Sequence, residues 1–112
     1  MNTESEVLNA AVDDWESLDQ LFVSIRFEFA SQMLGPSIPN AVFWRDRNPS
    51  ITLNEIARTI RDLVKASELQ ARREDGTIVT ELTGDDVFEC WFYTSEKGRQ
   101  KLVDGSVSSP RL

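Results

Sequence analysis

The chain has 112 residues, of which 40% are hydrophobic and 9% aromatic, which suits one packed domain with a modest core rather than a disordered segment. A net charge of −7, from 12 basic and 19 acidic residues, taken whole argues against a nucleic-acid binder, whose affinity depends on neutralising phosphates. There is no histidine and only one cysteine, Cys90, so the commonest general base, the commonest metal ligand and an internal disulfide are all missing.

What remains for catalysis is carboxylates. The pairs Asp13/Asp14 and Asp85/Asp86 lie in turn-like or capping surroundings, where aspartate is ordinary, and nothing drives their pKa values apart. No enzyme, no cofactor and no metal site are expected. No apolar run approaches the ~18 residues of a membrane span, so no membrane partner is expected either. The stretch "MNTESEVLNAAVDDW" shows no basic region followed by an apolar run. With the lone cysteine, read as a small buried strand residue, this points to a reducing, cytoplasmic setting.

The charge is unevenly placed. Residues 1–30 carry seven acids against Arg26 alone, and 74–90 carry six acids and no base. Between them, 45–73 holds seven basic residues against four acidic ones, so the middle of the chain is its basic part.

In chain order, residues 1–12 are polar or small and read as a flexible N-terminus. Asp13 or Asp14 can cap a helix starting near Trp15. Trp15, Leu18, Leu21, Phe22, Ile25, Phe29 and Met33 then fall on one helical stripe. Val23, Ile25, Phe27 and Phe29 also alternate as a strand would, but over a shorter span, so a helix through Met33 is expected. On that helix Val23 and Phe27 lie off the main stripe. From Gly35 to Ser50 three prolines predict an irregular connection, with a helical turn or two at 40–47 and Phe43 and Trp44 tethering it to the core.

Thr52-Leu53-Asn54-Glu55 spells a capping box, and Ile56, Ile60, Leu63 and Val64 give the following helix an inward stripe. This helix ends near Ser67, with no glycine to close it. Strands are then expected at 68–74, 77–82 and 87–94, joined by turns at Asp75-Gly76 and Thr83–Asp86, with no helix between 77 and 93. In the third, Phe88, Cys90 and Phe92 form the face that meets the helices. Ser95 caps a last helix that turns Leu102 and Val103 inward, and Gly98 is small because that helix starts tight against the strand. Residues 104–112 read as a flexible tail. The expected fold is α+β, one domain over 13–103 with helices packed on a small three-stranded antiparallel sheet.

The segment "FYTSEKGRQKL" and the order helix, capped helix, basic strand, hairpin, aromatic strand, short helix resemble the winged-helix domains of bacterial transcriptional regulators. In those domains an aromatic residue, one intervening residue, an apolar residue and then Thr-x-x-Gly-Arg closes the second wing strand. Phe92, Ser95, Gly98 and Arg99 take the corresponding places, while Thr94 stands where the family has an apolar residue. "EIARTIRDLVKASELQARRED" is similar to a recognition helix running into a wing. The likeness covers about residues 51–103. A helix between the first helix and the capped one is missing unless 40–47 supplies it, and Thr77–Asp86 makes a larger, acidic wing.

The resemblance implies double-stranded DNA as partner, read by the 53–67 helix through Arg58, Thr59, Arg61 and Lys65, with Arg72 and Arg73 extending the basic surface. Against this stands a plain solvated helix face, since Arg58–Asp62, Asp62–Lys65 and Lys65–Glu68 are all spaced to pair locally. The alternative reading is a protein-interaction module: a homo-oligomer formed through Val23 and Phe27, or an acidic surface for a basic partner protein. Nucleic-acid binding is the reading favoured.

Overall fold

Two antiparallel sheets organise the computed structural model, which describes residues 3–32 and 41–107. The main sheet has four strands in the order β1 (Glu16–Ser17), β6 (Cys90–Thr94), β4 (Leu69–Arg73) and β5 (Ile78–Val79). Its fourth strand, β1, comes from the segment expected to be the start of a long helix, so the sheet is four-stranded rather than three-stranded. The second sheet is a two-stranded ribbon, β2 (Phe27–Gln32) with β3 (Ala41–Asp46). The helices are α1 (Thr3–Ala10), α2 (Leu18–Arg26), α3 (Leu53–Lys65), the single turn α4 (Asp86–Glu89) and α5 (Glu96–Val107).

The N-terminal segment is part of the core, not a flexible lead. Val7 and Leu8 of α1, and Ala11 just after it, are buried with Leu21, Ile25, Ile56 and Ile60. The Thr3 hydroxyl donates to a Glu55 carboxylate oxygen at 2.6 Å, tying the start of α1 to α3. Asp14 does accept the amide of Trp15, at 2.8 Å, but no helix follows there. Instead α2 begins at Leu18 behind a Ser17–Gln20 capping box, with bonds of 3.3 and 2.9 Å.

α2 also stops earlier than its apolar stripe suggests. Helix ends leave their last carbonyls without intrahelical donors. Here the chain returning from the ribbon supplies them: the amides of Arg47 and Asn48 donate to the Arg26 carbonyl at 2.7 and 3.0 Å. The Asn48 side chain donates to the Ile25 carbonyl at 2.6 Å, and the Arg47 guanidinium to that of Ser24 at 2.7 Å. With those groups satisfied, the alternating run from Phe27 becomes β2, and 41–46, expected as helical turns, becomes its partner β3, with Glu28 opposite Arg45. Met33 lies outside the described residues.

α3 forms where the sequence places it. The Thr52 hydroxyl accepts the Glu55 amide at 3.1 Å, but the reciprocal half of the box is absent because Glu55 is engaged by Thr3. The helix exits through Ser67 in the left-handed region, φ 63°, which aims the Leu63 carbonyl at the Glu68 amide at 2.9 Å. The Asp75-Gly76 hairpin follows, with Gly76 at φ 91° and the Asp75 carboxylate accepting the Thr77 amide at 2.9 Å.

The third expected strand is shortened at its start. Asp86 accepts from the Thr83 amide and hydroxyl at 3.1 and 3.3 Å, which winds 86–89 into α4 and delays β6 to Cys90. A helical turn therefore does stand between 77 and 93. It turns Val87 into the core and leaves Phe88 57% exposed, reversing the face expected for Phe88, whereas Cys90 and Phe92 are buried as expected.

The join of β6 to α5 explains the motif. The Ser95 hydroxyl accepts the Gly98 amide at 3.1 Å and donates to the Ser67 carbonyl at 2.7 Å, so it caps α5 and fastens it to the end of α3. Arg99 donates to the Tyr93 hydroxyl at 2.7 Å and to the Val12 carbonyl at 2.5 Å. α5 continues through the first residues of the expected tail; Leu102 packs on the core, but Val103 is 54% exposed. Residues 108–112 lie outside the described residues.

Thr94 earns its place through its hydroxyl. It is fully buried and donates to the Leu8 carbonyl at 2.5 Å, while its amide donates to the Ala11 carbonyl at 3.0 Å. One residue thus satisfies two orphan carbonyls at the end of α1. Thr94→Val keeps the shape and strands the Leu8 carbonyl, so chemical denaturation should show a loss of about 1–3 kcal/mol.

Candidate nucleic-acid interface

α3 has a buried face and an exposed one. Ile56, Ala57, Ile60, Leu63 and Val64 are buried, while Asn54, Arg58, Asp62 and Lys65 are exposed and Arg61 is half-buried. Asn54, Arg58, Arg61 and Lys65 follow at spacings of four, three and four, so they form one stripe along the outer side. Asn54 was not among the residues singled out from sequence, although its spacing from Arg58 marks it. Its amide is a group suited to reading a base edge.

The six residues expected to touch DNA separate once placed. The Arg58 and Lys65 side chains are exposed and, among the described residues, make no hydrogen bond or ion pair; the local pairs with Asp62 and Glu68 do not form. Glu68 pairs with Lys101 instead, at 3.1 Å. Arg61 donates to the Gly84 carbonyl at 3.3 Å, which draws its guanidinium towards the loop after β5. Thr59 does not belong to the outer face: it is buried, and its hydroxyl donates back to the Glu55 carbonyl at 2.8 Å.

The two strand arginines are engaged elsewhere. The Arg72 guanidinium lies over the Trp15 ring, 4.3 Å from its centroid, and Trp15 stacks on Tyr93 at 5.4 Å. Arg73 pairs with Asp86 at 3.1 Å and Glu89 at 3.9 Å. Neither extends the α3 stripe as a free cation, and the segment beyond them is acidic, with Glu74, Asp75, Glu81 and Asp85 all exposed.

Asp86 holds that acidic loop to the sheet. Donation from the Thr83 amide and from Arg73 keeps its carboxyl below the ordinary aspartate value of 3.8. A carboxyl whose folded pKa lies below its unfolded one stabilises above the unfolded pKa, and that contribution is lost as pH falls through the folded value. The melting temperature should therefore fall as pH drops below about 4, and Asp86→Asn should flatten that part of the profile.

The expected oligomer surface also divides. Phe27 is half-buried within its own chain, edge-on to Phe22 at 6.2 Å and under Arg26 at 5.4 Å, so it does not wait on a second copy for cover. Val23 remains 37% exposed, beside Glu16, Asp19 and Gln20 in a shallow acidic depression on α2.

Cys90 is buried, and burial pushes its thiol above the ordinary value, away from the reactive thiolate. Among the described residues no group of three or more His, Cys, Asp or Glu side chains could hold a metal, and no helix is long and apolar enough to cross a membrane. Comparison with protein-family models, curated proteins and solved structures finds no match.

Proposed function

We propose that the chain is a winged-helix domain that binds duplex DNA through the outer stripe of α3, in the manner of a transcriptional regulator. The order of elements supports the fold: α1, then a short strand that joins the sheet beside β6, then α2 and α3, then the β4–β5 wing and β6. α1 completes the helical set that the sequence left one short, and the β2–β3 ribbon is an insertion between α2 and α3.

The observation that carries the binding reading is the state of Arg58 and Lys65. Both stand on an exposed helix face with Asp62 one turn or less away, yet no carboxylate neutralises either among the described residues. Arg61 lies between them on the same stripe. Unpaired cations aligned on one helix are what a phosphate backbone recognises, and a helix of this length fits the major groove.

Arg58→Glu tests this by fluorescence anisotropy on a labelled mixed-sequence duplex at low salt. Affinity should fall at least ~tenfold, equivalent to about 1.4 kcal/mol. An unchanged affinity would move the contact away from α3.

A further inference from the structure

We propose that the outer edge of the wing docks an extended basic segment of a partner protein. β5 is the last strand of the main sheet, with a neighbour on one side only. The Arg73 amide donates to the Thr77 carbonyl at 2.8 Å, and Ile78 is the next residue along, opposite Arg72. Antiparallel pairs alternate between bonded and non-bonded partners, so the amide and carbonyl of Ile78 point away from β4, towards the free edge.

The Ile78 side chain is 60% exposed, the most exposed large hydrophobic residue among those described. Beside it runs a shallow groove between the end of α3 and the sheet edge, lined by Val64, Leu69, Ala71, Val79 and Thr80. The edge therefore offers main-chain hydrogen bonds and an apolar contact together, the two components of recognition by strand addition.

Charge selects the occupant. Residues 74–90 hold six acids and no base; Arg73 neutralises Asp86 and Glu89, while Glu74, Asp75, Glu81 and Asp85 remain exposed. A phosphate backbone is repelled from such a surface, whereas lysines and arginines are drawn to it. Successive residues of an extended chain point to opposite sides. A segment alternating apolar and basic residues thus keeps its apolar residues on the side of the sheet edge where Val79 and the groove lie, and its cations on the other side, where they can meet the exposed acids. This surface borders the α3 stripe, whose Arg61 reaches Gly84 between Glu81 and Asp85, but its existence does not depend on DNA binding.

The test is a titration of the full chain with a fluorescein-labelled peptide alternating lysine and valine, alongside one alternating glutamate and valine. The basic peptide should bind saturably, more weakly as salt rises, and the acidic one should not. Ile78→Pro removes the outward amide and the side chain while sparing the β4 pairing, as proline on an edge strand does. The double variant Glu81→Lys/Asp85→Lys leaves the backbone intact and reverses the charge. Each should weaken peptide binding tenfold or more, with circular dichroism unchanged for the charge variant, and Ile78→Pro should leave duplex DNA affinity within about twofold. The proposal is overturned if the basic peptide fails to bind at low salt, if both variants bind it as well as the parent, or if the acidic peptide binds equally. It is also overturned if light scattering shows that the edge is already covered by a second copy, with Ile78→Pro yielding monomers.

Discussion

Gly98→Ala should lower the unfolding free energy by about 2 kcal/mol, even though alanine is the better helix former by about 1 kcal/mol. A Cβ at this position would sit 2.1 Å from the Glu68 carbonyl oxygen and 2.8 Å from the Thr94 methyl carbon. The first is backbone and cannot rotate aside. It also accepts the Ser95 amide at 3.2 Å, so pushing it away loosens the cap of α5. Forcing extra atoms into a packed joint typically costs 1–3 kcal/mol, and a backbone clash belongs at or beyond the upper end of that range. Denaturant unfolding should show a lower midpoint with an unchanged slope. A midpoint that rises would mean that α5 does not press on the end of α3, and that only helix propensity operates there.

The second large effect is on binding. Arg58→Glu/Lys65→Glu should weaken duplex DNA affinity roughly a hundredfold, about 2.7 kcal/mol, because the two sites are far enough apart to add. Seven residues along a helix separate their Cα atoms by roughly 10 Å. Both side chains are exposed, so the variant should keep the circular dichroism spectrum and most of the stability of the parent. A double variant that binds as tightly as the parent would make the stripe a solvated surface, and the acidic 74–85 segment would then be the better guide to function.

The second half of the fold was legible because its signals are local. Thr52 and Glu55 lie three residues apart, Asp75-Gly76 is a turn dipeptide, and Ser95 caps the helix three residues before Gly98. The first half was less so, since its decisive contacts come from far along the chain. α1 presents little apolar stripe of its own and is held by Thr94 and Glu55, more than 50 residues away in sequence. α2 ends where Arg47 and Asn48 return to cap it; the alternation through Phe27 and Phe29 hints at a strand, but the groups that stop the helix lie outside 18–33. The helical turn at 86–89 overrides a strand-like "VFEC" because Asp86 finds both Thr83 and Arg73.

The site follows the same division. The basic residues of α3 and their spacing are visible in sequence, but which of them remain free is a tertiary property. Arg61 reaches Gly84, Arg72 covers Trp15, and Arg73 meets Asp86. Thr59 is the one whose misplacement the sequence could have revealed. It follows Ile56 by three residues and precedes Leu63 by four, which puts it on the buried stripe.

The salt dependence of wild-type binding to a mixed-sequence duplex bears most directly on the central claim. If Arg58, Arg61 and Lys65 each displace a counterion from a phosphate, the plot of log affinity against log salt should have a slope of roughly −2 to −3. In Arg58→Glu/Lys65→Glu that slope should become shallower by about one unit for each lost contact. Absence of binding at low ionic strength, or a slope that stays the same in the variant, would contradict DNA recognition by α3.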